Sequence, residues 1–113
     1  MTNVLFKKKG GNIISFTANG HTGFGEEGQD ILCSAVSAMS YTILNGIIEV
    51  LKIDLVQNID FFIHDESGYL SINLESRSEE DIEKSQVLLR TLLVGFDSMK
   101  NYEDYIKVSI EEV

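Results

Sequence analysis

Tyr69-Leu70-Ser71-Ile72-Asn73-Leu74-Glu75 alternates apolar and polar residues from Leu70 onward. Side chains along a strand point to opposite faces in turn. Leu70, Ile72 and Leu74 therefore belong to a buried face, and Ser71, Asn73 and Glu75 to a wet one. Alternation of this strength implies a sheet covered by helices on one face only.

Reading backward, Ile59 to His64 forms a hairpin with this strand around Asp65 to Gly68. At the N-terminus, Asn3 to Lys8 and Asn12 to Ala18 read as two more strands joined by a turn at Gly10-Gly11, with Ile14, Phe16 and Ala18 on one face. Near the C-terminus, Tyr105 to Glu111 reads as a fifth strand, with Ile106, Val108 and Ile110 facing inward.

Two stretches carry the helical period. Asp30 to about Lys52 places apolar residues around most of a helix, which predicts a largely buried one, and Asp30 is a credible N-cap. Ser78 to Met99 carries a cap and acidic first turn (Ser78, Glu79, Glu80, Asp81), then one stripe of Ile82, Leu89, Leu92, Leu93 and Phe96. The expected order is ββαββαβ: an α+β two-layer sandwich, a mostly antiparallel sheet with two helices packed on one face. Residues 1–113 read as a single domain, with no proline, repeat or linker.

The composition narrows the function classes. No run of about 18 apolar residues exists, so no membrane span is expected. Lys7 to Lys9 follow an alternating segment, which is not the layout of a secretion signal. A single cysteine forms no internal disulfide, and a reducing cytoplasm is the expected compartment. A net charge of −9 argues against direct nucleic-acid binding and suits a basic partner, although such charge also simply keeps a protein soluble.

The chemistry concentrates in Gly20-His21-Thr22-Gly23-Phe24-Gly25-Glu26-Glu27-Gly28-Gln29-Asp30-Ile31-Leu32-Cys33. An imidazole and the only thiol bracket a glycine-rich loop that runs into a helix. With Asp30 as N-cap, Cys33 falls in the first turn, where free amides and a nearby imidazolium favour thiolate. Asp30 either caps the helix or orients His21 as a third catalytic member. Ser37 lies one turn beyond Cys33 and either donates a hydrogen bond into the site or bonds back to the Cys33 carbonyl. Amides at the helix start are candidate oxyanion donors. Alone, such a cysteine is a small apolar core residue and such a histidine a turn residue; their conjunction is what points to a hydrolase. His64, beside Asp65 and Glu66, reads as structural or exposed. A metal site from His21, Asp30, Cys33 and His64 lacks any recognised ligand spacing, so none is expected, and no cofactor is implied. The glycine stretch lacks the lysine-serine or lysine-threonine ending of a phosphate loop.

Gly20-His21-Thr22-Gly23-Phe24-Gly25 followed by Gly28-Gln29-Asp30-Ile31-Leu32-Cys33-Ser34-Ala35-Val36-Ser37 resembles the signature of the Prp family, the ribosomal-processing cysteine proteases of Firmicutes and related bacteria. The resemblance spans essentially the whole chain in length and element order. It implies a homodimeric protease that removes a short N-terminal extension from the large-subunit ribosomal protein twenty-seven, cutting after an aromatic pair. It implies Cys33 as nucleophile and His21 as general base and later acid. Asp30 and Ser37 match family positions near the site, and Gly20, Gly23, Gly25 and Gly28 shape a mobile loop over it, Gly20 through Gln29. The competing reading is a non-enzymatic, ribosome-associated module that binds a basic ribosomal protein and uses the loop as a clamp. A redox-sensing cysteine, which would need no His21, is a third.

Overall fold

A computed structural model of the chain describes residues 2–20, 27–64, 68–99 and 106–113, with side chains over all of these except 27–34. The elements are β1 (Thr2–Lys9), β2 (Asn12–Asn19), α1 (Glu27–Asn45), β3 (Phe61–His64), β4 (Tyr69–Asn73), α2 (Glu79–Asp97) and β5 (Ile106–Glu112). They follow the expected ββαββαβ order. The five strands form one sheet in the order β3-β4-β2-β1-β5. Three pairings are antiparallel, and β1 with β5 is parallel.

Gly10 and Gly11 have φ of 58° and 87°, the left-handed pair that a two-residue hairpin turn demands and that glycine adopts without strain. Above the turn the ladder shifts: Lys7 faces Ser15, but Lys8 faces Ile13. Ile14 is thus an extra residue on β2, a β-bulge. The bulge corrects the sequence reading, which grouped Ile14 with Phe16 and Ala18. Ile13 joins those two in the main core, while Ile14 is buried outside that cluster.

Val4, Phe6, Phe16, Ala18, Leu70 and Ile72 supply the sheet side of the core, and α1 and α2 cover it with Val36, Ile43, Leu44, Leu89, Leu92 and Phe96. Both helices therefore lie on one face. At the centre, Phe16 and Phe96 stack with ring centroids 5.7 Å apart, and Phe6 tilts against both.

The boundaries and burial of three elements differ from the sequence expectation. Helix α1 begins at Glu27, one turn before Asp30, so Asp30 is the fourth helical residue and not the N-cap. The same helix passes at Gly46–Val50 into a π-helical turn, with Leu51 N–H donating to the Gly46 carbonyl at 3.0 Å. Ser37, Ala38, Thr42, Asn45 and Glu49 are exposed, so its burial is one-sided. Strand β3 starts at Phe61, because Val56 to Asp60 form a turn closed by the Asp60 carboxylate, which accepts from Val56 N–H at 3.0 Å. On the edge strand β5, Ile106 is buried but Ile110 is 52% exposed, beyond the reach of the helices. α2 starts as expected, the Ser78 hydroxyl accepting from Asp81 N–H at 3.2 Å. Among the described residues, no helix is long and apolar enough to cross a membrane.

Candidate active site

Strand β2 ends at one extremity of the sheet. There Gly20 N–H donates to the Gly68 carbonyl at 3.1 Å, tying the end of β2 to the start of β4. Gly20 has φ of 115°, which a side chain would strain. Its backbone forms one wall of a cavity of about 80 Å³ between the sheet end and α1. The sheet contributes Thr2, Ala18, Leu70 and Tyr69, the hairpin end His64 and Gly68, and the helix Val36, Ser37, Ser40 and Tyr41. The volume is well below the roughly 300 Å³ of small-molecule sites and suits a single side chain of a larger substrate.

The four helical wall residues follow Cys33 by three, four, seven and eight positions. That is one face of an α-helix. By backbone position Cys33 continues this face, one turn closer to the helix start than Ser37, and His21 directly follows Gly20 of the opposite wall. The fold therefore brings together Gly20, Ser37 and the helical stripe on which Cys33 stands. His21, Gly23 and Gly25 lie outside the described residues. Gly28, Asp30 and Cys33 are described as helical backbone only. The loop expected over Gly20 through Gln29 is shorter than that, since Glu27 to Gln29 are already in α1.

The earlier helix start changes the electrostatics expected for Cys33. As the seventh helical residue it lies past the first turn, so the macrodipole acts on it weakly. The unpaired amides of the helix start belong to Glu27 through Asp30, and the Cys33 N–H falls within the intrahelical ladder. These amides are one to two turns from Cys33, so a helix-start oxyanion hole does not fit this geometry.

Several wall residues escaped the sequence reading. Ser40 is fully buried, its hydroxyl donating to the Val36 carbonyl at 2.7 Å, so it packs the wall and holds the helix backbone. Tyr41 is half-buried and continues the Cys33–Ser37 row. His64 is exposed, as expected, but stands at the cavity with its ring 6.2 Å from that of Tyr69. The i, i+4, i+8 spacing from Cys33 was the available signal for Tyr41; nothing local marked His64 or Tyr69. Among the described residues, no three His, Cys, Asp or Glu side chains meet as a metal ion requires.

Comparison with known proteins gives one family. The family model described as cysteine protease Prp matches residues 1–107. The ribosomal processing cysteine protease Prp of Bacillus subtilis (strain 168) is 28% identical over 99 residues, covering 86% of this chain and 85% of that protein. The protein of the same name from Staphylococcus aureus (strain Mu50) is 25% identical over 100 residues, covering 88% of each. Among solved structures, SMU.848 from Streptococcus mutans superposes with a TM-score of 0.87 at 26% identity, covering 100% of this chain and 96% of that one. The S. aureus Prp in complex with a substrate peptide shares the fold, with a TM-score of 0.79 at 23% identity over 98% and 100% of the two chains.

Proposed function

The chain belongs to the cysteine protease Prp family, and on that premise we propose that it is the endopeptidase that removes the N-terminal extension of the large-subunit ribosomal protein twenty-seven, cutting after an aromatic pair. The observation that carries this reading is the cavity whose helical wall is the Cys33 stripe and whose opposite wall runs into His21. Its size suits one substrate side chain. A net charge of −9 favours encounter with a basic ribosomal protein.

In this reading Cys33 is the nucleophile and His21 its base. The thiolate sulfur attacks the scissile carbonyl carbon, forming a C–S bond. The C–N bond then breaks, and the His21 imidazolium gives its proton to the departing amine, the mature N-terminus. Water, deprotonated by His21, attacks the acyl carbon; the C–S bond breaks, returning the Cys33 thiolate and freeing the extension with a C-terminal carboxylate. Ser37, exposed on the cavity wall one turn from Cys33, is the donor we assign to the developing oxyanion, in place of the helix-start amides. Asp30 orients His21. Gly20 ends β2 with a positive φ just before His21, Gly23 and Gly25 are the motif glycines assigned to substrate binding between base and nucleophile, and Gly28 stands in the first turn of α1. No metal or cofactor enters the reaction.

The same reading includes a cytoplasmic homodimer with no direct nucleic-acid contact. Val87 and Val94, 72% and 66% exposed on the outer side of α2, support a protein contact there.

The test is incubation of wild-type protein and Cys33→Ala with the extended ribosomal protein, read by intact mass. A single cut after the aromatic pair, made by wild type only, supports the assignment. Cutting by Cys33→Ala overturns the nucleophile. Intact substrate in both samples with demonstrated binding replaces the protease with the binding module.

A further inference from the structure

The sheet has two free edges, β3 and β5, and they are guarded differently. β5 carries Lys107, Glu111 and Glu112, charges that discourage a further strand. β3 carries none before His64: its residues Phe61, Phe62 and Ile63 are apolar and half-buried.

The hydrogen-bond phase of β3 follows from its neighbours. Leu74 N–H donates to the Ile14 carbonyl and Gly20 N–H to the Gly68 carbonyl, so even-numbered residues of this segment bond toward β2. Asn73 N–H donates to the Asp60 carbonyl at 2.7 Å, so the odd-numbered ones bond toward β3. With Phe62 facing Ser71 and His64 facing Tyr69, those two residues of β3 use their backbone groups on β4. Phe61 and Ile63 direct theirs outward. The Phe61 carbonyl is taken by Asn58 N–H at 2.7 Å. Ile63 is left presenting both N–H and C=O at the edge, with no backbone partner among the described residues.

This residue adjoins the candidate site. Leu70, its cross-strand partner, and His64, its neighbour, both line the cavity. We propose that the substrate docks as a short antiparallel strand on β3, one substrate residue exchanging both backbone hydrogen bonds with Ile63 while its own side chain, on the face shared by Ile63 and Leu70, enters the cavity. Such pairing reads the extended backbone, and the cavity reads the side chain. The outward row is a single residue long, which limits indiscriminate strand addition while leaving one docking point. The inference rests on the protease reading and adds to it how the substrate is held.

The experiment uses a synthetic peptide spanning the junction between extension and mature N-terminus. Hydrogen exchange is followed in Cys33→Ala with and without it. The Ile63 amide should exchange readily in the free protein and slow at least about tenfold in the complex. In parallel, wild type is assayed on peptides N-methylated at one amide at a time. One position should raise KM about tenfold with kcat little changed, the signature of a lost binding hydrogen bond.

A peptide that is cut while Ile63 stays unprotected, or while protection falls on β5, overturns the β3 proposal and leaves the protease standing. So does a methylation scan in which no position stands out. A peptide neither bound nor cut overturns the substrate reading and this inference with it.

Discussion

The Gln86 side-chain amide on α2 pairs with both backbone groups of Ile13 on β2: Oε1 accepts from the Ile13 N–H at 2.7 Å, and Nε2 donates to the Ile13 carbonyl at 2.8 Å. Nε2 also donates to the Ile82 carbonyl at 2.9 Å. The pairing lies beside the bulge, where Ile13 is buried and the β1 ladder is irregular. The amide does there what a neighbouring strand would do, and it docks the helix against the sheet. Gln86→Ala would leave a buried N–H and carbonyl without partners. We expect it to destabilise the protein by about 2–4 kcal/mol in urea denaturation. Gln86→Glu, which cannot donate when ionised, should be no better. A Gln86→Ala protein within about 0.5 kcal/mol of wild type would show that the pairing is dispensable.

Asp30 separates stability from chemistry. As the fourth helical residue it is not the N-cap, so Asp30→Ala should change stability by less than about 0.5 kcal/mol: alanine's helix propensity offsets the lost dipole interaction. If Asp30 orients His21, peptide cleavage should nevertheless fall by at least about tenfold. A thermal melt beside a rate assay reads both. A loss of about 1 kcal/mol with unchanged rate would restore the cap and remove the catalytic role.

Arg77 joins the 53–60 segment to the start of α2. Its guanidinium contacts Asp54 and Asp81, and lies 3.5 Å from the buried Asp60 carboxylate. Arg77→Met should cost about 1–2 kcal/mol, less than a fully buried pair because the arginine is part-exposed and the Asp60 contact is long. Adding Asp60→Asn should recover part of that loss, measured as a double-mutant cycle.

The same cluster sets part of the acid response. The hydrogen bond from Arg77, the backbone bond at Asp54 and the Arg77 charge together hold the Asp54 carboxyl below its ordinary 3.8. A lowered folded-state pKa stabilises above the unfolded value and loses that contribution as pH falls through the folded one. The gap in stability between wild type and Arg77→Met should therefore narrow from about pH 5 to about pH 3. A constant gap would mean that Asp54 adds nothing.

Gly95 faces α1 from α2, and a Cβ placed there would lie within 2.5 Å of the Met39 Cε position. That atom is the free end of an unbranched, adaptable side chain. Gly95→Ala gains helix propensity of about 1 kcal/mol, and Met39 can swing aside. We expect a net stabilisation of up to about 1 kcal/mol by thermal melt. A clear destabilisation would show that the groove between the helices holds Met39 rigidly.

The sequence alone determined the element order, the one-sided cover of the sheet, the α2 cap and the family. Each is written in local terms: a period of two or 3.6, a serine before three acids, or a motif along 20–37. It also supplied the candidate nucleophile and base, whose chemistry belongs to residue type and spacing. It misplaced the start of α1 and grouped Ile14 with the wrong neighbours. Helix fraying and bulges turn on small differences between a local pattern and its tertiary partners. Nothing local marks Gln86, whose role depends on Ile13, 73 positions away, being placed against it. The parallel pairing of β5, the exposure of Ile110, the cavity with its His64 and Tyr69 walls, and the outward backbone of Ile63 depend on which strands become neighbours. That is settled by long-range packing, which no window of consecutive residues encodes.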